Sequence, residues 1–280
     1  MFCDLHTHSY YSDGTSSPEE LICQAQKQQL SAVALCDHNT VAGLPEFLAA
    51  AADTDVEAVP GVEFSTRYLD RELHVLGLFI QPERYAEVTA FLEEVLVAKE
   101  QSNRELVERL KAAGVVLDYE KIKRQERGTI NRAVIGKEMQ ALGYVKDSNE
   151  AFRKYLKRSK GFYEPPELRL DTFETIRFIK SIGAVAVLAH PFLDLDEAEL
   201  RAFLPGAIEA GLDGMEVHYS KFNPEDTALA EKIAAGFGLL PSGGSDYHGA
   251  AKPDIDLGVG RGNLRIPGTF LKDLKSRWKE

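Results

Sequence analysis

Short apolar runs alternate with amphipathic stretches in the first and last thirds of the chain. The runs 31–36 and 184–189 contain no charged residue, which is typical of parallel strands that are buried on both faces. The stretches between such runs have helical spacing, and the first of them opens with a capping box at Ser17 and Glu20. This alternation predicts a parallel sheet or barrel. The predicted strands are 1–8, 31–36, 56–62, 73–80, 184–189, 214–218 and 239–242, and the predicted helices are 18–30, 41–52, 172–182, 196–210, 225–236 and 268–278.

The fourth strand departs from this alternation. Residues 73–80 follow Glu63 after a short polar connection, whereas a parallel crossover needs about a dozen residues or more. We therefore expect strands three and four to form an antiparallel hairpin. This hairpin would bring His74, near the start of strand four, to the same rim as Glu63.

Residues 82–170 interrupt the strand–helix pattern. They are charged and helical in pattern over about 83–113, 131–142 and 148–157, and residues 161–170 resemble a return linker. We interpret 82–170 as an inserted helical subdomain. The predicted fold is an α/β, distorted seven-stranded TIM-like barrel built from 1–81 and 171–280.

Composition narrows the class of function. Of the 280 residues 44% are hydrophobic and 28% are charged, and the net charge is −11. An acidic chain is a poor candidate for binding long nucleic acid, which requires a basic surface. There is no apolar run long enough for a membrane span and no signal-peptide core near Met1, so we expect a cytoplasmic protein with no membrane partner. Cys3 and Cys36 lie in apolar runs, which predicts buried thiols.

The seven histidines fall at predicted strand ends or at the start of strand four, and none lies in the insertion. In α/β barrels the active site lies at the carboxyl ends of the strands. Three carboxylates reach the same level and, with all the histidines except His218, give nine candidate metal ligands: His6, His8, Asp13, His38, Glu63, His74, His190, Asp246 and His248. Nine ligands are too many for one ion, so we expect two or three, with Glu63 bridging two of them. Imidazole and carboxylate together suit Mn²⁺, Fe²⁺ or Zn²⁺.

The motifs around these residues resemble the PHP (polymerase and histidinol phosphatase) superfamily of metal-dependent phosphoesterases. They are Asp4-Leu5-His6-Thr7-His8-Ser9, Ser12-Asp13-Gly14, Cys36-Asp37-His38, Pro60-Gly61-Val62-Glu63, Leu73-His74-Val75-Leu76-Gly77, Ala189-His190-Pro191 and Gly244-Ser245-Asp246-Tyr247-His248. Asp13 stands where some members have histidine. This variant and the helical insertion resemble the branch that acts on nucleoside phosphates and short oligoribonucleotides.

The resemblance implies a division of the ligands among three ions. One ion would bind His6, His8, Glu63 and Asp246, a second Glu63, His74 and His190, and a third Asp13, His38 and His248. Hydrolysis would use an activated water, with Asp13, His38, Glu63, Asp246 and His248 as the catalytic set. The expected substrate is a small phosphorylated molecule such as a nucleoside 3′,5′-bisphosphate or AMP, or alternatively a short RNA cleaved from its 5′ end.

The remaining candidates and alternatives stay open at the level of the sequence. Arg132, His218 and Arg158 are the candidate substrate contacts. Arg132 resembles a family element that faces phosphate, whereas Arg158 could equally be a solvated charge and His218 a supporting residue. A histidinol-phosphate-type phosphatase is a further alternative. An amidohydrolase would usually carry a lysine at a strand end, which is missing here. A non-catalytic PHP module would be expected to have lost ligands, and this chain keeps all nine.

Overall fold

One mixed sheet forms the centre of the molecule. The computed structural model describes residues 1–125 and 127–278. Within these residues the sheet has nine strands, of which seven have four or more residues and two, β5 and β9, have two each. The strands are β1 (Phe2–Thr7), β2 (Leu30–Leu35), β3 (Glu57–Tyr68), β4 (Arg71–Leu78), β5 (Leu170–Asp171), β6 (Val185–Leu188), β7 (Gly214–Tyr219), β8 (Leu240–Gly244) and β9 (Ile266–Pro267). The seven long strands are those predicted from the sequence.

The sheet curls into a nearly closed barrel. Its order is β8-β7-β6-β4-β3-β2-β1-β9, and β5 pairs with β3. The two ends of the sheet meet where Thr7 forms a parallel bridge with Tyr247. The pairs β1–β2, β2–β3, β6–β7 and β7–β8 are parallel. The prediction of a distorted seven-stranded α/β barrel is thereby confirmed.

Strands β3 and β4 form the predicted antiparallel hairpin, but β3 is longer than predicted. We expected it to end at Val62, and it continues to Tyr68. The polar residues that we took for a connection pair with β4, as in Ser65 with His74. The turn is short because Leu69 adopts a positive φ of 52°, which lets the chain reverse within two residues.

Helices cover the outside of the barrel and form the insertion. They are α1 (Pro18–Lys27), α2 (Leu44–Ala51), α3 (Tyr85–Ala112), α4 (Tyr119–Gln125), α5 (Arg132–Ala141), α6 (Ser148–Ala151), α7 (Thr172–Ser181), α8 (Glu197–Ala210), α9 (Pro224–Phe237) and α10 (Gly268–Lys275). The capping box at Ser17 and Glu20 is present as predicted. The sequence analysis missed α4. Among the described residues, no helix combines the length and apolar character that a membrane span needs.

The apolar core divides between the barrel and the insertion. The barrel has two buried clusters, and Cys3 and Cys36 are buried in one of them, as predicted. A separate cluster lies within 106–163. Helix α3 takes part in both, because Val88 and Leu92 pack on the barrel whereas Leu106 and Leu110 belong to the separate cluster. A hydrophobic core of its own is what an inserted subdomain requires, and the division at 82–170 stays our proposal.

The loop before α5 attaches the insertion to the barrel rim. Thr129 donates a hydrogen bond from its side chain to the carbonyl oxygen of His38 at 3.0 Å, and one from its backbone to Tyr11. A Cβ atom on Gly128 would lie 1.5 Å from the Tyr11 carbonyl oxygen, so only glycine allows this approach. The insertion therefore borders the rim on which the histidines lie.

Candidate metal centre

The nine predicted ligands converge at one end of the barrel. His6 lies in β1, Glu63 in β3 and His74 in β4, while the others follow directly after the strands β1, β2, β6 and β8 or lie in the loop before α1. Glu63 and His6 are fully buried, and His38 and His74 are partly exposed. The sequence pattern therefore placed these side chains at the correct level of the barrel.

Closure of the barrel brings the first and last motifs together. Asp246 donates its backbone N–H to the carbonyl oxygen of His6, and His8 donates to that of Tyr247, both at 2.9 Å. Strand β8 can approach β1 this closely because Gly244 has no side chain. A Cβ atom at Gly244 would lie 2.1 Å from the Cβ of His6. Asp246 therefore comes to lie beside His6 and His8.

Glu63 is the centre of the cluster, because its two carboxylate oxygens contact five histidines. Oε1 lies 2.7 Å from His74 Nδ1 and 3.0 Å from His190 Nε2. Oε2 lies 3.0 Å from His38 Nδ1, 3.2 Å from His8 Nε2 and 3.3 Å from His6 Nε2. A carboxylate whose oxygens face different sets of imidazoles has the arrangement of a bridging ligand.

The ligand atoms fall into four overlapping groups, within each of which they lie no more than 4.8 Å apart. The groups are His8, Asp13, His38 and His248; His6, Glu63 and His190; His6, His8 and Asp246; and His38, Glu63 and His74. The first and third resemble two of the expected ligand sets. The expected set of Glu63, His74 and His190 is split between two groups, although both histidines contact Oε1 of Glu63.

Hydrogen bonds with neighbouring groups orient several of the imidazoles. His6 Nδ1 lies 3.1 Å from Glu216 Oε1, and His248 Nδ1 lies 2.8 Å from the carbonyl oxygen of Asp246. When these nitrogens donate, Nε2 of each ring is left with a free lone pair facing the cluster. Such second contacts are what metal-binding histidines usually have.

The donor set fits divalent cations. His38 Nδ1 and Glu63 Oε2 are buried and lie 3.0 Å apart, but among the described residues neither forms a hydrogen bond with suitable geometry, and the buried Nδ1 of His190 also lacks one. Burial raises the pKa of the Glu63 carboxyl group, but His38, His74 and His6 hold it well below its usual range. Burial lowers the pKa of His8, but Asp246 and Glu63 raise it to about 9. The carboxylates thus attract positive charge, which protons or divalent cations can provide.

Glu216 is a residue of the site that the sequence analysis missed. It is fully buried, and its second oxygen accepts a 2.7 Å hydrogen bond from the backbone N–H of His190. His190 has an unusual positive φ of 27°, and this hydrogen bond helps to hold it there. The signal in the sequence was a glutamate between the apolar residues Met215 and Val217 of a predicted strand.

Asp246 has two further partners that the sequence did not reveal. Its Oδ2 accepts hydrogen bonds from Tyr219 at 2.8 Å and from Lys252 at 2.7 Å. Its Oδ1 faces His8 at 3.3 Å. One oxygen is therefore held by the protein and the other is left for an ion.

Of the three predicted substrate contacts, the structure brings only Arg132 to the site. Arg132 lines the cavities next to the ligands, with Glu72 at 3.3 Å and the ring of Tyr163 at 4.2 Å. Arg158 is mostly exposed and lies 3.7 Å from Glu164. His218 faces Glu231 at 3.1 Å and Phe270 on the outer helices, so the structure places it outside the site.

Replacing Glu216 by glutamine tests its supporting role. We expect the affinity for Mn²⁺ to fall about 10- to 100-fold, because the orientation of His6 and His190 is lost. The measurement is Mn²⁺ titration calorimetry on the apo protein. Glu231→Gln is the matched control, since Glu231 contacts a histidine that lies outside the site, His218 of β7. The affinity of this variant for Mn²⁺ should equal that of the parent. Equal affinities for both variants would contradict this role.

Comparison with known proteins agrees with the geometry. Residues 4–163 match the family model of the PHP domain. The chain belongs to the PHP domain family. A 5′-3′ exoribonuclease from Haemophilus influenzae is 32% identical over 88% of this chain and 89% of that protein. A 3′,5′-nucleoside bisphosphate phosphatase from Chromobacterium violaceum is 30% identical over 91% of this chain and 90% of that protein.

A solved PHP-type structure has the same architecture over almost its full length. It comes from Bifidobacterium adolescentis and is described as a metal-dependent phosphoesterase. It is 29% identical, covers 99% of this chain and 96% of its own, and has a TM-score of 0.87. The resemblance drawn from the motifs is thereby confirmed.

Proposed function

We propose that this PHP protein is a metal-dependent phosphoesterase that hydrolyses phosphate esters of nucleotides. The observation that carries the proposal is the cluster of nine ligand side chains around the buried Glu63, which lies at the base of an open cavity. The relatives named as a bisphosphate phosphatase and an exoribonuclease support the same class of substrate. The proposed reaction class is hydrolysis of a phosphoric ester.

The nine side chains would hold two or three ions of Mn²⁺, Fe²⁺ or Zn²⁺. Such ions, when bound, neutralise phosphate oxygens and activate water for attack at neutral pH. The chain itself would fix the geometry. Glu63 bridges neighbouring groups, Asp246 presents one oxygen while Tyr219 and Lys252 hold the other, and Asp13 lies 3.2 Å from Nε2 of His248. We assign the catalytic roles to Asp13, His38, Glu63, Asp246 and His248.

Cationic side chains balance the charge of the proposed substrate. Arg132, Lys221 and Lys252 line the cavity that contains Glu63, His74, His190 and Asp246. This cavity has a volume of about 250 Å³, or about 630 Å³ when the space of its open mouth is counted, which is enough for a small ligand. Arg132 would donate to phosphate oxygens, as its place at the edge of the ligands suggests. The net charge of −11 and the size of this cavity favour small substrates over long nucleic acid.

A 5′-3′ exoribonuclease acting on short RNA is the second candidate. The relative from Haemophilus influenzae supports it, and the open mouth of the cavity would allow a chain of a few nucleotides to extend outward. Both candidates use the same ligands and differ in whether the scissile phosphate is a monoester or a diester. A cytoplasmic location is also our proposal, and the buried thiols of Cys3 and Cys36 are consistent with it.

A hydrolysis screen with Mn²⁺ tests the proposal. The substrates are 5′-mononucleotides, nucleoside 3′,5′-bisphosphates, histidinol phosphate and di- to pentaribonucleotides. We expect release of phosphate from bisphosphates or mononucleotides, whereas release of mononucleotides from the oligomers would favour the second candidate. Metal analysis accompanies the screen, and two or three ions per chain are expected. If none of the nucleotide substrates is hydrolysed, the proposal is contradicted.

A further inference from the structure

A second cavity extends from the metal centre into the insertion. Asp13, His38 and His74 line one side, while Lys99, Asn131 and Tyr163 line the other. Its volume is about 620 Å³ including its mouth, and it shares Arg132 and Glu72 with the first cavity. A ligand bound at the metal centre could therefore extend along it towards helix α3.

Lys99 is the cationic side chain of this cavity for which the described part of the chain offers no direct partner. Among residues 1–125 and 127–278 its side chain forms no ion pair and no hydrogen bond, although it is partly buried. Burial lowers the pKa of Lys99, and the carboxylates of Glu72 and Asp13 act in the opposite direction. A partly buried ammonium group without a partner is unusual, because desolvation is costly unless an anion offsets it.

Three other polar side chains on this wall already have hydrogen-bond partners. Asn131 caps α5 by accepting from the backbone N–H groups of Ala133 and Val134. Asn103 donates to the carbonyl oxygen of Ile130 at 2.9 Å. Arg132 contacts Glu72 and the carbonyl oxygen of Leu156. Lys99 is thus the cation of the wall that a ligand could engage without breaking a contact.

We propose that Lys99 binds a second phosphate of the substrate, while the first phosphate lies at the metal centre. This inference rests on the proposed function and adds a specificity determinant to it. The second phosphate belongs either to the same nucleotide, as in a nucleoside bisphosphate, or to the next nucleotide of a short RNA. In both cases Lys99 favours substrates with two phosphates, because the ammonium group gains an anionic partner only with them.

Steady-state kinetics of Lys99→Met with Mn²⁺ test the inference. The substrates are adenosine 3′,5′-bisphosphate, adenosine 3′-phosphate and adenosine 5′-phosphate, together with the adenine dinucleotide and trinucleotide without a 5′-phosphate, which have one and two phosphates. We expect kcat/KM for the doubly phosphorylated substrate to fall about 10- to 100-fold, as for loss of a charged hydrogen bond, and that for monophosphates to change less than about threefold. Lys99→Arg should retain most of the preference. Lys111→Met, on the same helix at an exposed position, controls for net charge.

The pairs of substrates separate the possible results. A loss for the bisphosphate but not the trinucleotide assigns the subsite to the same nucleotide, and a loss confined to the trinucleotide assigns it to the next one. Equal losses for substrates with one and two phosphates, or no loss at all, would overturn the inference. If the parent hydrolyses no nucleotide, the proposed function fails. The inference is then decided by the dissociation constants of the same variants for adenosine 3′,5′-bisphosphate and for the two monophosphates. A loss of affinity confined to the bisphosphate supports it, and equal losses or no loss overturn it.

Discussion

Replacement of Glu63 by glutamine will reduce nucleotide hydrolysis by at least about a thousandfold, which corresponds to about 4 kcal/mol of transition-state stabilisation. Glu63 contacts five of the proposed ligands and belongs to two of the four groups. Glutamine keeps the size of the side chain but removes the negative charge and turns one oxygen into a hydrogen-bond donor. Bound metal should therefore fall by at least one ion per chain, measured by elemental analysis after loading with Mn²⁺.

Glu72→Gln provides the matched control for this change. Glu72 lies 3.5 Å from His74 in the same cavity, but it belongs to none of the four groups and is about half exposed. We expect this variant to bind the same amount of metal as the parent. Circular dichroism should show the same fold for both variants. Full metal content and full activity in the Glu63 variant would refute the central role of that carboxylate.

The sequence was enough to predict most residues of the metal centre, because a barrel places the ends of its strands at one rim. In a parallel barrel, residues that follow successive strands lie at one rim, so His8, His38, His190 and His248 could be placed together without knowledge of packing. His74 required one more step, the hairpin. That prediction depended on the short connection between β3 and β4, and the structure confirms the hairpin.

The bounds of β3 and the presence of α4 could not be derived in the same way. Residues 63–68 are mostly polar, and the sequence analysis treated polarity as a sign of a loop. In the structure the ladder with β4 satisfies their backbone groups, and Thr66 also donates to the carbonyl oxygen of Leu73. Helix α4 is short, and tertiary contacts of Tyr119 and Ile122 with the core of the insertion stabilise it.

Glu216 and His218 show how a local irregularity misleads an alternation argument. Both residues lie in β7, and strict alternation would place them on the same face. The register shifts between them, and they diverge. Glu216 lies under His6 and His190, whereas His218 contacts the outer helices. A strand irregularity of this kind depends on the neighbouring strand and cannot be seen in the sequence of β7 alone.

Replacement of Asp13 by alanine will remove the ion held by one group and leave the others occupied. Asp13 is the only carboxylate in its group, and its partners are the imidazoles of His8, His38 and His248. Its Oδ1 lies 3.2 Å from His248 and 3.8 Å from His38. Without this charge the group would hold a divalent cation much more weakly. We expect the metal content to fall by one ion per chain and kcat to fall at least about a hundredfold.

Asp13→His is the matched variant, because histidine offers a ligand atom at the same position with a different charge. An imidazole restores a ligand atom but not the negative charge of the Asp13 carboxylate. This variant should therefore retain more metal and more activity than Asp13→Ala. The fold should be unaffected in both, since a ligand at the rim is not part of the packed core. The measurements are metal content, kcat and the thermal midpoint of the apo protein. If Asp13→Ala keeps its full metal content, this group does not bind an ion, and the division of the nine ligands must be redrawn around Glu63 and Asp246 alone.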